Sequence, residues 1–433
     1  MYSGTVYGGP GPVPSTTPHE APQVPEVVMD SRMIAKKKRR AKEVAVTMRR
    51  NAGQVIHTIS FDSILPVTAD IMWDCDPELL CSYNWQSSVN GTNVIFVPGA
   101  PPKWTPPTLP YTLALDSGIM YTDHNYARQP RFPYTPMFEA LSVMNPDAQL
   151  LDIDVIADRN NLRTLLEFAQ GKAGTFRLNL QQIGNTLILV RSEDRYWKRS
   201  NGQGYGHNFE NHFTQAEEGM QNATSQYRVI RYPMGPLNVV VRFEADAYYE
   251  GPEAEVEAFF AAEATPAAPI SPVTGGAAAK PNFNYSAPIQ VIRRGLPVPC
   301  AQIAELKTSP MGESVICMDQ LWFGRTPHLL LGNYKKGTGI FQRVRYTSTR
   351  DKVAEWERRQ QESLRRLVAL LIELRRVLRA EQGPIRAAVL VREEKGGPIH
   401  IRAMEVKAPI VALHFIQRHW QPQPPVFRHV RPT

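Results

Sequence analysis

Two short segments carry charge where a core is expected. In VVVRFEADAYY, Glu244 and Asp246 follow a valine run. They stand at i and i+2, the spacing that puts two side chains on one face of a strand. In CAQIAELKTSP, Glu305 and Lys307 repeat that spacing, with Ile303 and Leu306 marking the strand's hold on a core. A charge at a core edge is costly unless it is paired or bound to a metal. Several carboxylates around one point repel each other, and a hard divalent cation such as Mg²⁺ or Mn²⁺, which takes oxygen ligands, relieves that repulsion. E-x-D beside E-x-K therefore reads as phosphoryl hydrolysis. Acids on neighbouring strands hold a metal that activates water, and the lysine meets charge building on the phosphate. Taken alone, E-x-K also reads as a salt-bridged exposed strand. LLDIDVIADRN offers a second such pair, Asp152 and Asp154 on one strand face, but nothing near it completes a phosphate site.

The elements that must position these residues follow from periodicity and punctuation. NVIFVP, LLDIDVIA, QYRVIRYP, LNVVVRFEADAYY, PIQVIRRG and AQIAELKT read as strands. TFRLNLQQIGNTLILVR reads as a hairpin around Gly184-Asn185, and AAVLVREEKGGPIHIRAMEV as another. MFEALSVMNP, NNLRTLLEFAQG, GHNFENHFTQ and ICMDQLWFGR read as helices. A long helix spans about 351–381, where Leu367, Leu371, Leu374 and Leu378 form a stripe that packs a core. Strands and helices mix without strict alternation, so the expected class is α+β or mixed α/β. The layout is that of a PD-(D/E)XK nuclease core, a single large domain with two mixed β-sheets flanked by helices.

Residues 1–52 are rich in Pro, Gly and Ser, then turn basic, and read as a disordered tail. Their KKKRR run, Lys36 to Arg40, reads as a nuclear localisation signal, a phosphate-gripping arm or a solvated charge run. The folded domain is placed at 53–416, with a flexible Ala/Pro insertion at about 261–282 and a tail at 417–433. The net charge of +8 over 433 residues favours a polyanionic partner such as nucleic acid. The four cysteines, Cys75, Cys81, Cys300 and Cys317, have no zinc spacing and read as free thiols. The apolar runs are too short to span a bilayer and the N-terminus has no signal-like stretch, so a soluble intracellular protein without a membrane partner is expected. GQGYG lacks both phosphate-loop spacings and reads as a plain loop.

In their order along the chain, these motifs resemble those of the DXO family of decapping exoribonucleases, fungal nuclear members included. IADRNNLRTLLEF is similar to that family's arginine motif and puts Arg159 there. GYGHNFENHF places Glu210 at its Phe-Glu motif, FEADAY supplies Glu244 and Asp246, AELKTS supplies Glu305 and Lys307, and MDQLWFG supplies Gln320. The resemblance runs from about Ser60 to Ile416. It implies Glu210, Asp246, Glu305 and the Leu306 carbonyl as ligands of Mg²⁺ or Mn²⁺, with Glu244 holding a metal-bound water or a second ion. Lys307 and Gln320 would orient the scissile phosphate and its nucleophile, and Arg159 would line the pocket for the first nucleotides. The implied activity is metal-dependent hydrolysis at RNA 5′ ends: removal of incomplete or NAD caps, release from 5′-triphosphates, or 5′-to-3′ degradation. A nuclear location is implied, with the cytoplasm left open. Two alternatives stay open: a catalytically weak protein that binds and stimulates a 5′-to-3′ exoribonuclease, and a DNA-directed nuclease of the same core. The segments ADRNN, HNFE, MDQLWFG and GNYK depart from the family pattern, so the pocket walls differ even where the acids are kept.

Overall fold

The valines Val239, Val240 and Val241 are all buried, so the strand that holds them, Leu237–Ala245, is covered on both faces. It lies inside an 11-stranded sheet. In spatial order the strands are Ala52–Ile59, Ile399–Met404, Arg386–Arg392, Phe176–Ile183, Thr186–Arg191, Val155–Asp158, Leu237–Ala245, Ala223–Met234, Glu78–Gln86, Asn93–Pro98 and Ile289–Arg294. The sheet is mixed: Val155–Asp158 runs parallel to both of its neighbours, and Ile289–Arg294 runs parallel to Asn93–Pro98. These positions come from a computed structural model that describes residues 46–87, 92–192, 196–200, 202–251, 283, 287–313, 315 and 317–421. The KKKRR run, the Ala/Pro insertion and the last twelve residues lie outside the described residues.

Alternate residues of the central strand feed two cores. Val239 and Val241 pack with the helices Arg159–Ala169, Met318–Gly324 and Arg350–Ala380. Val240 faces the opposite way, toward Thr135–Met144 and Leu413–Trp420. On the long helix Leu367, Leu371, Leu374 and Leu378 are fully buried, so the leucine stripe is core packing.

A 7-stranded sheet stands beside the first, in the order Thr214–Gln215, Lys103–Trp104, Ala247–Tyr248, Ile303–Pro310, His328–Tyr334, Ile340–Ser348 and Tyr111–Thr112. It too is mixed, since Ile303–Pro310 pairs parallel with His328–Tyr334 and antiparallel with Ala247–Tyr248. Two mixed sheets flanked by helices are therefore observed, as expected. FEADAYY is not one strand, however. The chain leaves the large sheet after Ala245 and joins the smaller one at Ala247, with Asp246 at the step. This step brings the two sheets together.

One further difference concerns particular residues. Asp152 and Asp154 do not share a strand face, because the strand begins only at Val155. Their carboxylates serve ion pairs instead, Asp152 with Arg231 and Asp154 with Arg375. Residues 46–49 are helical, and the helix Leu413–Trp420 runs past Ile416 with His419 and Trp420 buried. All four cysteines are free. No described helix is long and apolar enough to cross a membrane.

Candidate active site

The step between the sheets sets the geometry. Ala247 pairs with Ala304 and Tyr248 with Ile303, which pins the next residues of the Ile303–Pro310 strand against Asp246. The Leu306 N–H accordingly donates to Asp246 Oδ2 at 2.9 Å. Glu305 and Lys307 share a face as their spacing demands, with Lys307 Nζ 2.5 Å from Glu305 Oε1 and 3.8 Å from Asp246 Oδ2. The same ammonium donates to the Leu306 carbonyl at 3.2 Å. From the opposite side Arg159, first residue of its helix, donates to Glu305 Oε2 at 2.9 Å. Gly324 leaves room for that arginine: a Cβ there would stand 3.2 Å from Arg159 NH1.

Glu210 arrives on the short helix Gly206–Phe213. Asp116 holds the start of that helix by accepting the N–H groups of His207 and Asn208. Phe209 and Phe213 anchor it among Trp104 and Phe341. Gly332 is required beneath Phe209, since a Cβ at 332 would lie 2.4 Å from the ring. Phe209 therefore fixes the helix, and its neighbour Glu210 joins the acids. Glu244 sits two residues before Asp246, half-buried, opposite Tyr227, and accepts the Ser225 hydroxyl.

Electrostatics separates one carboxyl from three. Burial pushes Glu305 up, yet Arg159 and Lys307 outweigh it and hold the carboxyl at about 2. Burial, then the Glu305 charge, raises Asp246 to about 6. Burial, with Asp246 adding to it, raises Glu244 to about 7. Glu210 lies well above the carboxylate range, through burial and then the charges of Asp246 and Glu244. Lys307 is raised, because Glu305 and Asp246 more than offset its burial. When all four acids are ionised, four negative charges meet the two positive charges of Arg159 and Lys307. The remainder is two negative charges, the amount that one divalent cation neutralises.

The residues expected to hold a metal are thus gathered, and their all-oxygen chemistry suits a hard divalent ion. They are not set as a ready shell. Among the described residues no group of three or more His, Cys, Asp or Glu is placed to hold an ion. Both Glu305 oxygens and the Leu306 carbonyl are taken by Arg159 and Lys307. Arg159 thus stands first as a charge partner of Glu305. Gln320 lies half-buried on the helix Met318–Gly324, which packs against the Glu244 strand. Its side-chain amide makes no hydrogen bond to a described residue, while its N–H donates to Asp319, held in turn by Arg163. His207 and His212 are exposed, as a surface role requires.

Sequence reasoning missed Arg128 and Asp123. Arg128 is buried between the Trp85 and Phe283 rings, and its Nε and NH1 have no partner among the described residues. It belongs to the helix His124–Arg128, which Asp123 caps. That cap lies close enough to Glu244 for its charge to help raise the Glu244 carboxyl. The one legible signal was the capping aspartate before the helix. No spacing marked the arginine.

A family model described as a domain of unknown function (DUF8563) matches residues 53–417. The chain belongs to the DUF8563 family. No curated protein matches it. Among solved structures, this DUF8563 chain is similar to S. pombe Rai1 in complex with 3′-FADP, at 11% identity and a TM-score of 0.50, over 80% of this chain and 98% of that one. It is also similar to Scheffersomyces stipitis Rai1 in complex with (3′-NADP)⁺ and calcium ion, at 12% identity and a TM-score of 0.50, over 81% and 92% of the two chains. The DUF8563 chain therefore has the fold of the Rai1 decapping proteins. This is the fold that the motif order implied.

Proposed function

We propose that this protein is a metal-dependent hydrolase acting on RNA 5′ ends. The observation that carries the reading is that Glu210, Glu244, Asp246 and Glu305 act on one another and on Lys307 at the step between the sheets; fully ionised, they carry two negative charges more than Lys307 and Arg159 supply. The ligands named with the two Rai1 structures support it, since both are dinucleotides joined through phosphates and one structure also holds calcium. Glu210, Asp246 and Glu305, with the Leu306 carbonyl, would hold Mg²⁺ or Mn²⁺, and Glu244 would hold a water. Such an ion, when bound, supplies Lewis acidity and an acidified water. Lys307 then exchanges its contacts with Glu305 and Leu306 for a phosphate oxygen, where its charge opposes the charge that builds during hydrolysis. Arg159 keeps Glu305 ionised, and Gln320, whose amide is uncommitted, orients the phosphate. The KKKRR run would direct the protein to the nucleus.

Purified protein is to be assayed with Mn²⁺ or Mg²⁺ on RNA bearing a 5′-triphosphate, an unmethylated cap or NAD. Metal-dependent product from at least one substrate, falling at least about a hundredfold in Glu305→Ala, is expected. No metal-dependent product from any of them overturns the reading. A second reading, a binding partner of a 5′-to-3′ exoribonuclease, is favoured by the cation-paired state of Glu305. Under it, stimulation of such an exonuclease persists in the Asp246→Ala, Glu305→Ala double variant.

A further inference from the structure

A cavity of about 650 Å³ is walled in part by the ends of the segments that carry Glu305 and Gln320, and none of the site's four carboxylates lines it. Its wall includes Cys300 and Ala301, from the turn that leads into the Glu305 strand, and Arg325, the residue that ends the Gln320 helix. Arg325 takes a left-handed backbone, φ 48°, at a position where glycine is the usual choice, so its side chain is kept there against a conformational cost.

That side chain is 2% exposed and stacks on Tyr232 at 4.0 Å, Trp322 at 4.2 Å and Trp73 at 5.2 Å. It donates to the Trp322 and Met72 carbonyls, while its Nε has no partner. A buried cation is costly unless a counter-charge meets it, and the negative groups that act on Arg325, Glu357 and Asp74 among them, form no ion pair with it among the described residues. Glu357, also in the wall, is committed elsewhere: its Oε2 accepts the Trp73 N–H at 2.6 Å and the Trp322 indole N–H at 2.7 Å. Asp76 is exposed at the edge. Behind Cys300 a second buried guanidinium, Arg228, donates to its sulfur and leaves Nε and NH1 unpartnered.

The same cavity receives the start of the 31-residue helix Arg350–Ala380. No side chain caps its first N–H groups, because the Thr349 hydroxyl donates to the Thr326 carbonyl instead. An uncapped helix N-terminus favours an anion. Here it faces a space that Arg325 also lines, with Arg350 exposed beside it and Trp73, Leu79 and Val353 as apolar wall.

We propose that this cavity binds a nucleoside monophosphate, its phosphate on the helix N-terminus, Arg325 and Arg350, and its ring against Trp73. The size suits such a ligand, since pockets of about 300–1,000 Å³ hold compounds of that class. The site stands apart from the carboxylate cluster and does not depend on the function assigned to it.

Calorimetric titration of the full chain with AMP, UMP, adenosine and inorganic phosphate tests this. AMP and UMP are expected to bind at least about tenfold more tightly than adenosine or phosphate alone, since only they engage both halves of the site. Arg350→Ala, at an exposed position, should weaken AMP about fivefold, the scale of one charge at a helix end. Ala354→Trp, also exposed, should weaken it at least about tenfold by filling the mouth. The Asp246→Asn, Glu305→Ala double variant should bind AMP as the parent does. Failure of AMP to bind, equal binding of inorganic phosphate, or loss in the carboxylate variant with retention in Ala354→Trp would each overturn the proposal.

Discussion

Arg242 and Glu244 stand two residues apart on one strand, and the charge around them is settled in opposite ways. Arg242 is fully buried and is met by Asp158 at 2.7 Å, the Pro133 carbonyl at 2.6 Å and the Tyr134 ring at 4.3 Å, which leaves only its NH2 without a partner among the described residues. Asp158 in turn accepts the Tyr126 hydroxyl at 2.7 Å. Charge there is enclosed and paired one to one between Arg242 and Asp158, with the capping Asp123 beside them pushed up to about 6 by burial and then by the Asp158 charge. Around Glu244 three carboxyls are pushed toward protonation, first by burial and then by one another's charge, for which the cations present fall short. Burial alone does not distinguish a structural cluster from a functional one. The imbalance does.

The largest expected effect comes from breaking the paired cluster. Arg242→Met strands Asp158 in the core and should cost about 3–5 kcal/mol in denaturant unfolding. A cost under about 1 kcal/mol would erase the distinction. The unbalanced cluster should respond with the opposite sign. The folded pKa of Glu244, about 7, lies above the ordinary carboxylate value, so the protonated form is the one that folding favours. Its contribution is fully present below the unfolded pKa and is lost as pH rises through about 7, so the metal-free protein should weaken between roughly pH 4.5 and 7. Glu244→Gln should flatten that fall and stabilise the metal-free protein at pH 8 by about 2 kcal/mol, discounted for partial exposure. Destabilisation at pH 8 would mean that Glu244 is matched as well as Arg242 is. The smallest effect belongs to a third pairing. Asp154→Asn, which loosens Arg375, should change stability by no more than about 1 kcal/mol and leave hydrolysis unchanged.

Much of the fold was legible because apolar period is a local signal. The leucine stripe, the hairpin at Gly184 and the short helix of Glu210 follow from a few neighbouring residues each. The sheet change at Asp246 was not, because alternation continues unbroken from Phe243 to Ala247 while the pairing partner changes. Asp154 looked like a strand residue, yet its carboxylate holds the Asn238 N–H and Arg375, which keeps it in the turn. The acids Glu244, Asp246 and Glu305 were readable as charge in apolar surroundings, and Glu210 only through the motif order. Their neutralisation was not, since Arg159 meets Glu305 from 146 residues away. Arg128 lies among aromatic and proline residues that carry no spacing rule.

The central claim is that the excess acid charge at the sheet junction draws in a divalent ion. Calorimetric titration of Mn²⁺ into the purified protein at pH 7.5, in two buffers of different ionisation enthalpy, tests it most directly. The account predicts saturable binding with proton release, because Glu210, which burial and the neighbouring acids hold well above the usual carboxylate range, and Glu244 give up protons as the ion enters, and loss of that binding in Asp246→Asn. Absence of saturable binding, or equal binding by Asp246→Asn, would contradict it.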